Sequence, residues 1–208
     1  MRGNIPFVST GNIAEIRVQE LDAIVDQFDL NRHPFYQDWR MGTLPVEKLK
    51  DYAGEYGQFV GTIAEGWETL GETHYAEEER EHEVLWSDFK SAIQADKVSS
   101  RPSTATLVSA AKNAFSAPAT ALGALYAFEA QQPHTSQVKL DGLIEHYTVS
   151  EAGQKYFKVH ANDIAERDLL RERAAKMTGA EFAQTKIACA LLGAAMWSAL
   201  DGVYYAEA

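Results

Sequence analysis

The chain has one cysteine, Cys189, which excludes an intramolecular disulfide framework and fits a reducing compartment, so a cytoplasmic location is expected. Positive charge is scarce too. Only 19 Lys and Arg stand against 30 Asp and Glu, giving a formal net charge of −11, and no basic run breaks the balance. Nucleic acids and anionic membrane surfaces need clustered Lys and Arg, so neither is an expected partner. The longest charge cluster, Glu77-Glu78-Glu79-Arg80-Glu81, is mostly acidic. The 6 Pro and 14 Gly are scattered, which argues against long disorder, and 208 residues of which 46% are hydrophobic can bury a real core. Near the N-terminus, Pro6 and Ser9-Thr10-Gly11-Asn12 follow Arg2 too soon for the apolar region of a signal peptide. Long apolar runs are missing as well. Ile187 to Leu200, the most apolar stretch, is interrupted by Gly193 and Ser198 and reads as a buried core helix, not a bilayer span. Neither a nucleophile elbow nor a Gly-rich phosphate loop occurs.

What is present is helical periodicity, with no convincing alternating segment longer than a few residues. Asn12 with Glu15 resembles a capping box ahead of the stripe Ile13, Ile16, Leu21, Ile24, Val25 and Phe28. His33-Pro34 restarts the chain, and Thr43-Leu44-Pro45 opens a helix carrying Leu49, Tyr52, Tyr56, Phe59, Val60 and Ile63. A further helix is expected from about Tyr75 to Ala95, and Ser99-Ser100-Arg101-Pro102 breaks the chain after it. Pro118 starts a helix that ends before Pro133, Ser150 caps one long helix to Met177, and Thr178 with Glu181 forms a capping box for the last. The expectation is an all-α bundle of seven to eight helices over residues 1–208, one domain, with residues 1–11 as an extended tail.

Three groups of residues could carry chemistry. Glu129 ends a segment otherwise built of Ala, Leu, Gly, Tyr and Phe. There it is either solvated at a helix end or buried, and a buried carboxylate must be paired, protonated or metal-bound. Glu72, Glu79 and His82 fall along one side of a helix, and Glu-x-x-His is the spacing by which one helix offers two ligands to iron. An acidic helix also produces such pairs on a solvated face. His160 and Asp163 repeat the three-residue spacing. Carboxylate and imidazole donors from three helices suit iron or manganese, not structural zinc. His74, His134 and His146 read as surface residues, and Cys189 as an inert core residue. Tyr36, Tyr52, Tyr56 and Tyr126 all fall on helices expected to face the core, where a phenol beside an oxidising iron is a hydrogen donor or radical site.

Several stretches together resemble a known superfamily: His33-Pro-Phe-Tyr36-Gln-Asp-Trp39-Arg-Met-Gly42 through Tyr52, His82-Glu-Val-Leu-Trp86-Ser-Asp-Phe89, Ala124-Leu-Tyr-Ala-Phe-Glu129-Ala-Gln-Gln-Pro133, Tyr156-Phe-Lys-Val-His160 and Trp197-Ser-Ala-Leu-Asp201-Gly202. The chain is similar to TenA/PqqC/CADD-like proteins from about His33 to Tyr205, nearest to the CADD-like haem-oxygenase-like iron oxidases. The resemblance implies a haem-oxygenase-like helical bundle and a dinuclear iron site, with His82, Glu129 and His160 as direct matches. The family pattern departs at Ile164 and Arg167, where it has Asp and His, and at Tyr75, where it has Glu. Asp163, and Glu78 or Glu79, are the nearest replacements, whereas Arg167 cannot ligate a cation. The implied metal set is Glu79, His82, Glu129, His160 and Asp163, with Glu72 a further candidate, holding Fe2+/Fe3+ as a mononuclear or dinuclear site.

The implied activity is an O2-dependent oxidation of a small organic substrate in a biosynthetic pathway, by an oxidoreductase with O2 and that substrate as partners; a homodimer is also expected. Tyr36 matches a tyrosine that CADD-like proteins are thought to oxidise on the way to an aminobenzoate. Two alternatives stand beside this. One is a metal-free PqqC-like oxidase in which Arg167 clamps a carboxylate or stabilises an oxyanion. The other is a non-enzymatic binder of the same fold. TenA-like hydrolysis needs a Cys nucleophile near Glu129, and none is there.

Overall fold

Each apolar stripe becomes a helix whose ends are set by local chemistry. The structure, a computed structural model, describes residues 10–95 and 101–206. In chain order the described residues form α1 (Thr10–Gln27), a 3-10 turn (Leu30–Arg32), α2 (Pro34–Arg40), α3 (Val46–Val60), α4 (Ile63–Thr69), α5 (Thr73–Ala92), α6 (Pro102–Ala114), α7 (Pro118–Glu129), α8 (Gln132–His146), α9 (Glu151–His160), α10 (Ala165–Lys176) and α11 (Gly179–Tyr204), with no strand among them. The all-α expectation therefore holds. The expected tail over residues 1–11 lies outside the described residues up to position 9, and Thr10 and Gly11 already belong to α1, which puts Asn12 inside the helix. Ser99 and Ser100 of the expected break also lie outside the described residues.

Proline opens α2, α6 and α7, where its missing N–H goes unused. His33 caps α2: its Nδ1 accepts from the Phe35 N–H at 3.0 Å, and its Nε2 faces Asp201 of α11 at 3.1 Å. Ser150 caps α9, and Thr178 with Glu181 closes both halves of a capping box on α11.

Two helices fix the centre. From Ala121 to Glu129 every residue of α7 is buried, and α7 packs directly on α11. Gly123 permits that approach, because a Cβ there would stand 2.0 Å from the Thr185 carbonyl oxygen. By length and composition, α11 is long and apolar enough to cross a membrane, which corrects the reading that no stretch qualifies. It packs against α1, α6 and α7, half of its most apolar window is buried, and it serves as the core helix the sequence suggested.

The largest departure is in the expected Ser150–Met177 helix. It breaks after His160 and restarts at Ala165. Asn162 Nδ2 donates to the Lys158 carbonyl at 3.0 Å, and Asp163 Oδ1 accepts from the Ala165 N–H at 2.9 Å. Such short polar side chains satisfy backbone groups that a continuous helix would otherwise pair, so they stop α9 and start α10.

Candidate metal centre

Five side chains from four helices converge in the interior. α5 supplies Glu79 and His82, α7 its last residue Glu129, α9 its last residue His160, and α10 Glu166 in its first turn. All five are buried, none more than 8% exposed. Ligand atoms of Glu79, His82 and His160 lie within 4.8 Å of one another, as do those of Glu79, Glu129 and Glu166. Glu79 belongs to both triads. The arrangement therefore offers two adjacent positions that share one carboxylate, the first richer in nitrogen and the second built of oxygen alone.

The polar atoms of the cluster face chiefly one another, with His82 Nδ1 3.3 Å from Glu79 Oε1. Both carboxylate oxygens of Glu79 and Glu129, one of Glu166, Nδ1 of His82 and Nε2 of His160 are buried without a hydrogen bond. Burying such groups unpaired is costly, and a cation would satisfy all of them at once. His160 is already oriented for it. Its Nδ1 lies 2.8 Å from the Tyr156 carbonyl, which only accepts, so Nδ1 carries the proton and Nε2 presents its lone pair to the cluster. The His82 and His160 rings are tilted by 58° with centroids 4.3 Å apart.

Protonation follows from this crowding. Burial, then Glu166 and Glu79, push the Glu129 carboxyl well above the usual range. Burial, with Glu79 and Asp163 adding, raises Glu166 to about 9. Burial and the neighbouring His82 bring His160 down to about 3. Burial lowers the His82 imidazolium, but Glu79, Glu78 and Asp163 outweigh it and leave its pKa above the ordinary value. A carboxylate at the C-terminal end of α7 also meets the negative end of that helix dipole, as does any charge beside His160 at the end of α9. Both ends favour a cation.

The structure sorts the expected ligands. It brings together Glu79, His82, Glu129 and His160, and leaves Asp163 out. Asp163 is half-buried and occupied in starting α10. Arg167, which follows Glu166 on α10, donates through Nε to Asp168 at 3.0 Å. Glu72 pairs with Arg173 at the start of α5. The sequence reading missed Glu166. On one continuous helix it would face away from His160, and only the break at Asn162-Asp163 turns it inward. That Asn-Asp pair was the available signal.

Beside the cluster lies an aromatic core. Tyr156 contacts His160 at 4.1 Å and Trp86 at 4.8 Å between centroids, and Trp86 in turn contacts Tyr52 and Tyr56. The hydroxyls of Tyr36 and Tyr52 are 3.0 Å apart. Burial raises the Tyr36 phenol above its ordinary value, so it is neutral. Lys139 is buried, with its Nζ 5.0 Å from the Tyr36 ring centroid, and burial alone lowers its pKa to about 7. Tyr126 is buried too, but its hydroxyl bonds to Asp22 on α1. His74, His134 and His146 are exposed, and Cys189 is buried with its thiol raised to about 12, as expected of an inert residue. A surface groove of about 650 Å³ between α6, α7 and α11 shares no lining residue with the cluster.

Comparison with solved structures identifies the fold of this all-helical bundle. A TenA homologue from Pseudomonas syringae superimposes with a TM-score of 0.77 at 16% identity, covering 99% of each chain. A CADD-like protein of unknown function from Nostoc punctiforme gives 0.61 at 16% identity, covering 93% of this chain and 96% of its own. The chain thus has the haem-oxygenase-like fold of these TenA-homologous and CADD-like structures, as its motifs predict. No protein-family model matches it. In sequence it is similar to a protein named 4-aminobenzoate synthase from Nitrosomonas europaea, 29% identical over 227 aligned positions that cover 89% of this chain and 90% of the relative. A protein of the same name from Chlamydia muridarum is 29% identical over 69% of this chain and 70% of its own.

Proposed function

We propose that the chain is a non-haem iron oxidase that uses O2 to oxidise an aromatic ring in its bundle core, on the way to an aminobenzoate-type product. The observation carrying this reading is the buried cluster of Glu79, His82, Glu129, His160 and Glu166, whose crowded carboxylates and bare His160 Nε2 match the donor set of iron. Iron bound there supplies one-electron oxidising chemistry with O2. The protein's own residues do the rest. Tyr156 holds the His160 ring by its Nδ1–H, and Glu79 is shared by both positions. Tyr52 is hydrogen-bonded to the Tyr36 phenol, and Lys139 keeps an amine, in good part uncharged near neutrality, over the Tyr36 ring. A phenol ring beside a nucleophilic nitrogen is suitable material for an aminobenzoate, and the name borne by the sequence relatives supports the same product class. A separate small organic substrate is the other form of this reading. The metal-free alternative is less favoured, because the Arg167 guanidinium it would use is already paired with Asp168.

The test is to load metal-free protein, labelled on its tyrosine rings, with Fe(II) under anaerobic conditions, admit O2, and analyse small molecules by mass spectrometry. Labelled 4-aminobenzoate is expected from the wild type and not from Tyr36→Phe or Lys139→Met. Absence of O2 uptake by iron-loaded protein overturns the oxidase, and an unlabelled product overturns the role of Tyr36.

A further inference from the structure

Helix α10 brings one ligand to the cluster, yet little apolar surface holds it there. Its only buried residues are Glu166, Leu170 and Ala174. Polar contacts from other helices grip it instead. The Arg171 guanidinium donates to both carboxylate oxygens of Asp22 on α1, at 3.0 Å each, and through Nε to the Tyr126 hydroxyl on α7 at 2.9 Å. Tyr126 donates in turn to Asp22 Oδ1 at 2.5 Å, which closes the ring of three. At the far end of α10, Arg17 of α1 donates to the carbonyls of Ala175 and Met177.

The placement of this ring matters. On α7, Tyr126 lies one helical turn before Glu129; on α10, Arg171 lies beyond Glu166. The two helices therefore meet at a pair of carboxylates and again at the phenol–guanidinium contact. The second contact fixes how α10 sits against α7 beside the carboxylates.

We propose that Asp22, Tyr126 and Arg171 form a clasp that positions Glu166, so that the all-carboxylate metal position depends on the clasp and the Glu79–His82–His160 position does not. The proposal rests on the metal-centre reading above. All three are positioning residues, since each acts on the ion through α10.

Two readouts test it. The first is a Mn2+ titration followed by the electron paramagnetic resonance of the free ion, with the wild type binding two equivalents. In Tyr126→Phe, Asp22→Asn and Arg171→Lys, one equivalent stays within about twofold of wild type while the other weakens about 10- to 100-fold, the range seen when residues supporting metal ligands are lost. Arg171→Lys keeps the charge but loses the two-pronged fork, so it does not rescue. Lys176→Ala, which breaks an exposed pair with Glu172 on the same helix, leaves both equivalents intact. The second readout is amide hydrogen exchange in metal-free Tyr126→Phe, expected to speed up across residues 165–176 and not across 151–160. Retention of both equivalents at wild-type affinity, or equal weakening of both, overturns the clasp. A wild type that binds fewer than two equivalents overturns the metal reading instead; hydrogen exchange then decides the clasp alone, and unchanged exchange in α10 refutes it.

Discussion

A methyl group at position 123 is enough to displace the helix that ends in Glu129. The Cβ of Gly123→Ala would lie 2.0 Å from the Thr185 carbonyl oxygen, 2.8 Å from its carbon and 3.0 Å from its Cα. All three are backbone atoms of α11, so no side chain can swing away. α7 and α11 must separate by about 1 Å to bring the contact to the shortest distance real Cβ atoms tolerate. Overpacking of this kind costs about 1–3 kcal/mol, and a rigid backbone obstacle puts it near the upper end. For a chain of this size, about 3 kcal/mol lowers Tm by roughly 6–12 °C. Circular dichroism melts of metal-free wild type and variant give the comparison, with Gly179→Ala as control because its Cβ meets nothing within 4 Å. Iron binding should weaken in parallel, since Glu129 moves with α7. If Gly123→Ala melts within about 2 °C of wild type, the account of how α7 is seated is wrong.

Other outcomes follow from the buried charges. Glu166 is held at about 9, while an unfolded glutamate titrates near about 4.3, so between these values the unfolded chain releases a proton that the folded chain keeps. This group's contribution is present below the unfolded pKa and lost as pH rises towards 9. The Tm advantage of metal-free Glu166→Gln over wild type should therefore grow from pH 5 to pH 9, and a difference constant with pH refutes the assignment. Lys139, at about 7 when folded, penalises the native state fully below pH 7 and progressively less towards its unfolded pKa of about 10.4. Lys139→Met should raise Tm more at pH 6 than at pH 9.5, and a larger gain at the higher pH would contradict the burial. Asp163→Ala and Arg167→Ala should retain the full iron content by elemental analysis, because Asp163 is absent from both ligand triads and the Arg167 guanidinium, paired with Asp168, cannot ligate a cation; loss of iron in either variant would contradict this.

The fold was legible because its signals are local and repeated: apolar stripes at helical spacing, Pro34, Pro102 and Pro118 at helix starts, and the Thr178–Glu181 box. Glu79 and His82 were legible for the same reason, sharing one face of one helix. Glu129 stood out by contrast with its apolar neighbours. Glu166 was hidden because its place depends on a break, and periodicity carries through a break whenever the flanking residues are good helix formers. Reading residues 150–177 as one helix put Asp163 among the ligands and left Glu166 out, whereas the fold brings Glu166 to Glu79 and Glu129. The Asp22–Tyr126–Arg171 ring joins residues from three distant parts of the chain, and no local pattern marks such a meeting.

The most direct test of the central claim is anomalous diffraction at the iron edge from crystals loaded anaerobically with Fe(II). Two peaks are predicted, one among Glu79, His82 and His160 and the other among Glu79, Glu129 and Glu166, with Glu79 contacting both. Iron absent from this cluster, or bound only at exposed carboxylates such as Glu77 and Glu81, would contradict the account.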